Sequence, residues 1–375
     1  MFDFFTYFIY LTLLTVMVLL TYKGTSIPEA NIDALYDKEK PKINYKHFLS
    51  IIFISIIVGF RYNVGVDWDG YRIAFLDSGS LTFQENSFEF GYFIINKTIN
   101  LLGFSYQQFF FLINLFTWFF IFKSIPKKLL FYFIFFLFCT EFFFWSMNGI
   151  RQFTAISLLL FSIKYIINRK LIKYLLLLAV ASLFHKTVFF LLPLYFIPYK
   201  HLYNQTIMVV IFCFSLFMGS ISQIADFIEQ GVLGLIFLYN LQNPFLNRYF
   251  VARGGLYIYE DTSLGLGYLF IISTNLFLLL VSRGIIKKNP NLKIYYLLFF
   301  IGTVIYNFSY SILELTRLNQ YFIIFKVHIL TFTTYYFIHY SKKSFISYVM
   351  VFLFFVMFLA AIYNSSNMSN PYRML

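Results

Sequence analysis

Residues 47–75 read HFLSIIFISIIVGFRYNVGVDWDGYRIAF. Up to Phe60 the stretch carries nothing charged at neutral pH, and it is apolar enough to lie in a bilayer. Directly after it, Arg61, Asp67, Asp69 and Arg72 fall together with Gly65 and Gly70. An abrupt change from hydrocarbon-compatible residues to clustered charge and turn-forming glycine marks the edge of a membrane, so this stretch fixes how the rest of the chain is read.

The 375 residues bear this out in bulk: 60% are hydrophobic, 24% aromatic and only 12% charged. A water-soluble globular domain does not tolerate that balance. Since unpaired backbone groups are not tolerated in hydrocarbon, the spanning elements must be helices or a closed barrel. The apolar runs are continuous rather than alternating, which selects helices. Apolar segments near 2–21, 47–60, 105–123, 128–146, 148–168, 171–186, 187–199, 204–220, 265–283, 292–310, 318–340 and 344–363 predict an all-α, polytopic membrane protein of about twelve spans. The 187–199 segment holds Pro193 and Pro198 and reads as broken or re-entrant. The first segment lacks a basic leader and a cleavage site and reads as a retained span. No internal repeat or soluble domain interrupts the chain, which therefore reads as a single integral domain over 1–375.

The net charge of +13 would suit a nucleic-acid binder, but the basic residues bracket the spans. Lysines collect in alternate connections: Lys23, Lys38, Lys40, Lys42 and Lys46; Lys123, Lys127 and Lys128; Lys164, Lys170 and Lys173 with Arg169; Lys200; Lys287, Lys288 and Lys293 with Arg283; Lys342 and Lys343. The positive-inside rule makes those connections cytoplasmic and leaves both termini outside. Arg61, Arg72, Arg151, Arg248, Arg253 and Arg317 fall on the other side, where lysine is scarce. Two long outer connections, about 61–104 and 221–264, contain segments with helical apolar spacing, including FEFGYFIINKTINLLG from residue 88.

Ionisable groups at the mouths of spans are expensive and mark functional positions. Arginine's planar fork of donors suits phosphate or carboxylate; each outer arginine can equally pair a neighbouring acid such as Asp67, Asp69 or Glu314. Asn148, Arg151 and Gln152 fall within one turn at the start of a helix, whose free N–H groups favour an anion. Glu141 is the nearest acid that could pair with Arg151 instead. His185, beside Lys186 and Thr187, is suited to general-base work. Asp67 and Asp69 form an Asp-x-Asp pair of the kind that holds a divalent metal, or that pairs with Arg61 or Arg72. The two cysteines, Cys139 and Cys213, lie inside apolar runs without metal-ligand spacing.

RYNVGVDWDGYRIAF at 61–75, MNGIRQFTAISLLLFSIKYIINRKLIKYLLLLAVASLFHKTVFFLLPLYF at 147–196 and ELTRLNQYF at 314–322 resemble the EpsG-type, Wzy-like polysaccharide polymerases of bacteria. The resemblance implies an inverting glycosyl transfer at the outer face of the cytoplasmic membrane. A glycan on undecaprenyl pyrophosphate is moved onto the sugar of a second lipid-linked repeat unit. It implies pyrophosphate binding by Arg61, Arg151, Arg248, Arg253 and Arg317, with Tyr71, Asn148, Gln152 and Tyr321 completing the substrate-binding set. His185, Asp67, Asp69 and Glu314 compete for the role of base. With arginine neutralising the leaving group, neither metal nor cofactor is expected. The partners implied are the lipid-linked donor and acceptor, membrane lipid, a chain-length regulator and a flippase, and no nucleic acid. Two alternatives stay open: a flippase or exporter of the same lipid-linked glycan, and a metal-dependent transferase acting through Asp67 and Asp69.

Overall fold

The computed structural model describes residues 3–22, 43–83, 88–220, 265–309, 313–341 and 343–374. Those residues are helical almost throughout, without a β-strand among them beyond one isolated bridge between Arg61 and Met374. The fold divides into two compact units, Met1–Ile197 with Leu330–Leu375, and Pro198–Ile329, where the sequence alone offers no boundary.

The first unit begins with α1 (Phe4–Thr21), whose free N–H groups at Phe5 and Thr6 donate to the Asp3 carboxylate. Asn44 caps α2 (Tyr45–Gly59) in the same way through His47 N–H. Next come α3 (Trp68–Asp77), α4 (Phe90–Leu101) and α5 (Tyr106–Ser124). Ser105 and Gln108 form a reciprocal capping box at the start of α5. Then follow α6 (Leu130–Cys139), α7 (Phe142–Asn148), α8 (Ile150–Ile167) and α9 (Leu171–Ser182).

The apolar run near 128–146, expected as one span, is instead the α6–α7 pair, bent by 70°. Thr140 adopts an extended conformation at the break, and its hydroxyl donates back to Phe136 O at 2.8 Å, competing with the helical ladder. The segment expected to be broken is a 3-10 helix, Lys186–Phe196, with Pro193 inside it.

Helix α5 packs on α2 and α8, and α8 on α9. Gly59 lets α2 approach closely, since a Cβ there would lie 2.7 Å from Phe111 Cα. Thr117 and Thr154 share a buried hydroxyl contact of 2.8 Å between α5 and α8. The residues after the last helix return to this unit: Tyr372 Oη donates to Ile57 O at 2.7 Å, Tyr62 N–H to Arg373 O at 2.9 Å, and Tyr10 Oη to Ser369 O at 2.9 Å. The tail thereby braces the turn that carries Arg61.

The second unit holds α10 (Gln205–Gly219), α11 (Leu266–Lys288), α12 (Lys293–Ser309) and α13 (Leu313–Ile323). Within it Asn307 Nδ2 donates to Ser215 Oγ at 2.7 Å between α12 and α10. The chain then passes through α14 (Phe325–His339) to α15 (Ser344–Tyr363).

Six helical stretches are long and apolar enough to cross a membrane: Phe4–Thr21, Ile150–Ile167, Leu266–Lys288, Pro290–Phe308, Leu315–His339 and Ser344–Tyr363. The bent pair makes up to seven. Tyr45–Gly59, Leu171–Ser182, Lys186–Phe196 and Gln205–Gly219 are apolar but shorter than a straight crossing needs. Among the described residues the structure therefore carries six to seven candidate spans where hydropathy alone suggested about twelve.

Candidate functional site

Arg151 lies in the first turn of α8, immediately after the non-helical Gly149. One of its Nη atoms is ion-paired with a carboxylate oxygen of Glu89. The sequence pointed to Glu141 as its nearest acid, but Glu141 is exposed and Arg151 turns to an acid 62 residues away. The rings of Phe88 and Tyr92 flank the guanidinium, 4.3 and 5.8 Å from its carbon, and the Tyr71 hydroxyl is within hydrogen-bond reach. The Nε of Arg151 is buried without a hydrogen-bond partner, so part of the fork is unspent. The two charged side chains keep 21% and 12% of their surface, which leaves the pair reachable but sparingly hydrated.

Glu89 holds this arrangement together. It occupies the N-cap position of α4 without using its side chain to cap that helix. While one carboxylate oxygen meets Arg151, the other accepts the Lys186 N–H at 3.4 Å. In the preceding turn, Tyr92 N–H donates to Leu183 O at 3.0 Å. Gly91 permits that approach, because a Cβ there would lie 2.4 Å from Leu183 Cβ and 2.9 Å from Leu183 O. His185, half-buried, follows directly, and its Nδ1 lies 2.7 Å from Thr187 Oγ1. The start of α4 thus joins the Arg151 turn to the His185 turn.

Arg61 sits in the same unit but in a different state. It is fully buried, and its guanidinium donates to three carbonyls: Val64 O at 3.0 Å, Met147 O at 2.7 Å, and Val58 O. Phe110 lies 5.3 Å beneath it. Burial pulls its pKa down to about 10. The residue fastens the Asn63–Gly65 turn to the end of α7 rather than facing outward. Gly65 completes the closure with φ of +106°, and a Cβ on it would lie 2.7 Å from Asn148 Oδ1.

Asn148 and Gln152 are both buried, but they do not share a helix face as their spacing predicts: Asn148 ends α7 and Gln152 belongs to α8, with Gly149 between. Tyr71 is buried on α3, which raises its pKa, and Arg151 works in the opposite direction. Burial raises Tyr92 further still. The two aspartates part company. Asp69 is exposed and ion-paired to Arg72 at 2.9 Å, whereas Asp67 is half-buried at the N-cap of α3 without a side-chain capping bond. Among the described residues no three His, Cys, Asp or Glu side chains converge as a metal-ligand set.

Arg317 and Tyr321 lie on α13 in the second unit, Arg317 half-buried and Tyr321 fully buried. Glu314 is on the same helix. Arg248 and Arg253, with the 221–264 connection, lie outside the described residues.

The family model of the EpsG family matches residues 45–374, nearly the whole chain. No curated protein matches the chain, and no solved structure does.

Proposed function

From the premise that the chain belongs to the EpsG family of Wzy-like polysaccharide polymerases, we propose that it joins lipid-linked oligosaccharide repeat units into a polysaccharide at the outer face of a bacterial cytoplasmic membrane. The observation that carries the reading is the junction of Arg151, Glu89, Tyr71 and the His185 turn at one end of α8.

In this reading the donor is a glycan on a lipid pyrophosphate, undecaprenyl in chemistry, and the acceptor is the terminal sugar of a second lipid-linked unit. Arg151 rests on Glu89 and shifts to the pyrophosphate as the donor enters. The part of the guanidinium that stays exposed meets the incoming oxyanion first, the buried and unspent Nε is paired once the side chain has shifted, and Tyr71 adds a neutral donor beside it. Phe88 and Tyr92 keep the guanidinium planar against their faces. The acceptor hydroxyl attacks the anomeric carbon from the side opposite the leaving group and loses its proton to His185. The carbon–oxygen bond to pyrophosphate breaks as the new glycosidic bond forms, inverting the centre. Charge growing on the lipid pyrophosphate falls on Arg151, already moved onto it and held between the Phe88 and Tyr92 rings in a poorly hydrated place, where such stabilisation is strongest.

Of the other acids considered as base, Asp69 is engaged with Arg72, and Asp67 is the runner-up to His185. We assign Arg61 to holding the site's backbone. Arg248, Arg253 and Arg317 stay in the proposal as pyrophosphate contacts, whereas Tyr321, fully buried, does not meet substrate. The twelve-crossing topology with both termini outside is kept here too, made of the seven candidate spans, the four shorter apolar helices and α5. Deletion of the gene tests the reading: loss of polymerase leaves single repeat units on the cell surface, whereas loss of a flippase exports none.

A further inference from the structure

The far end of α8 carries a second cluster of charge that the transfer chemistry does not use. Lys164 stands in the last turn of α8, Lys123 in the last turn of α5 and Lys173 near the start of α9. With 1.5 Å per residue, Lys164 is about 20 Å along the helix from Arg151. The Nζ of Lys164 lies 3.4 Å from the centre of the Phe161 ring and 5.0 Å from that of Tyr165. Lys173 Nζ is 6.0 Å from the same Tyr165 ring, and Lys123 Nζ is 5.6 Å from Phe119.

The rings themselves form a continuous row: Phe119 to Phe120 at 5.3 Å, Phe120 to Phe161 at 5.2 Å, Phe161 to Tyr165 at 6.0 Å. Three ammonium groups are thus set along one aromatic ridge, near enough for Lys164 to feel the charge of both others. Among the described residues none of the three is ion-paired to an acid. Sorting of lysine to one side of a membrane accounts for the sign of the charge. It does not account for the gathering of three like charges from three helices onto one ridge, which costs energy unless an anion is shared among them.

Beside the ammoniums the surface is apolar and open. Phe119, Ile172 and Leu176 are 40%, 74% and 62% exposed. An anion for this corner must therefore bring hydrocarbon with it. We propose that the corner binds the phosphate headgroup of an anionic glycerophospholipid, shared by Lys123, Lys164 and Lys173, with its acyl chains along Phe119, Ile172 and Leu176. The rings exclude water from the headgroup's inner side, and the flank continues the hydrocarbon surface that the chains already occupy.

The test uses the purified full-length protein, exposed to equal amounts of phosphatidylglycerol and phosphatidylcholine, with retained lipid read by native mass spectrometry. The wild type retains phosphatidylglycerol in preference. Each of Lys123→Gln, Lys164→Gln and Lys173→Gln lowers that preference about fivefold, and the three arginine replacements together keep it. Lys287→Gln, an equal loss of one charge at the end of α11, leaves it unchanged. If Lys123→Gln or Lys173→Gln does not insert, Lys164→Gln alone decides, since it is the central group. Three results overturn the proposal: an unchanged preference in the glutamine variants, an equal loss in the α11 control, or displacement of the lipid by inorganic phosphate, which would make this a site for a free anion.

Discussion

Arg151 and Glu89 form an ion pair across 62 residues of sequence, and the same carboxylate that neutralises the guanidinium also accepts the Lys186 N–H beside His185. One acid therefore couples the proposed anion contact to the proposed base. In the proposed mechanism Glu89 holds, in the resting protein, the place on Arg151 that a phosphate oxygen takes. Donor binding then amounts to exchanging one anion for another, which spares the protein an unpaired cation in a poorly hydrated place.

Exchange of anions predicts how Glu89→Gln behaves. The variant leaves Arg151 without its counter-charge, so the purified protein unfolds at a lower temperature. Millimolar inorganic pyrophosphate restores much of the lost stability by taking the vacant place. In Arg151→Gln it restores none. Thermal unfolding with and without pyrophosphate checks this; a Glu89→Gln protein indifferent to pyrophosphate would show that the pair is only a clamp.

Replacement of Arg151 by lysine keeps the charge and loses the fork. Loss of a contact that strengthens in the transition state costs roughly 3 kcal/mol, about a hundredfold in rate. The expected outcome is short or absent ladders of repeat units at normal protein levels in the membrane. The readout is ladder length on a gel, normalised to protein.

His185→Gln should lower polymerisation by about a hundredfold or more while leaving protein levels and donor binding intact. Asp67→Asn should cost far less. The comparison of the two, measured as polymer formed per protein together with donor affinity, identifies the base. Activity that survives in His185→Gln and disappears in Asp67→Asn would transfer the role.

Gly91→Ala probes the joint between the two turns. Its Cβ would meet Leu183 at distances that real packing does not allow, so the start of α4 must move away from the His185 turn. Overpacking of this kind costs typically 1–3 kcal/mol. Thermal unfolding should show that loss, with reduced polymerisation in whatever protein remains folded.

Tyr71 and Tyr92 are both held above the ordinary tyrosine value of 10.0 by burial. A folded-state pKa raised above the unfolded one gives stability that is complete below pH 10 and is lost as pH rises past it. Unfolding temperature should therefore be insensitive to these two groups up to about pH 9 and fall above pH 10. Phenylalanine at both positions should flatten that alkaline decline.

Much of the frame was legible in the sequence because hydrocarbon imposes long apolar runs, and the helix at Arg151 begins two residues after the expected start at Asn148. The bend between α6 and α7 was not legible: it depends on how Thr140 uses its hydroxyl, and the polar pair Thr140–Glu141 reads as easily as a notch within one continuous span. The split of Asn148 from Gln152 was equally hidden, since a lone glycine inside an apolar pattern does not announce a turn. Arg61 looked from composition like its fellow outer arginines. Only the fold shows three of its donors taken by the carbonyls of Val58, Val64 and Met147. Glu89 was visible as the single acid heading the FGYF segment, but its importance comes from a partner 62 residues away, which no local pattern encodes.

The most direct measurement is made on purified protein in liposomes, supplied with one defined repeat unit linked to undecaprenyl pyrophosphate and with no other protein. The account predicts products of two and more units, one lipid pyrophosphate released for each new linkage, and neither formed by the Arg151→Lys protein. Repeat units that stay single while passing from one leaflet to the other would contradict it.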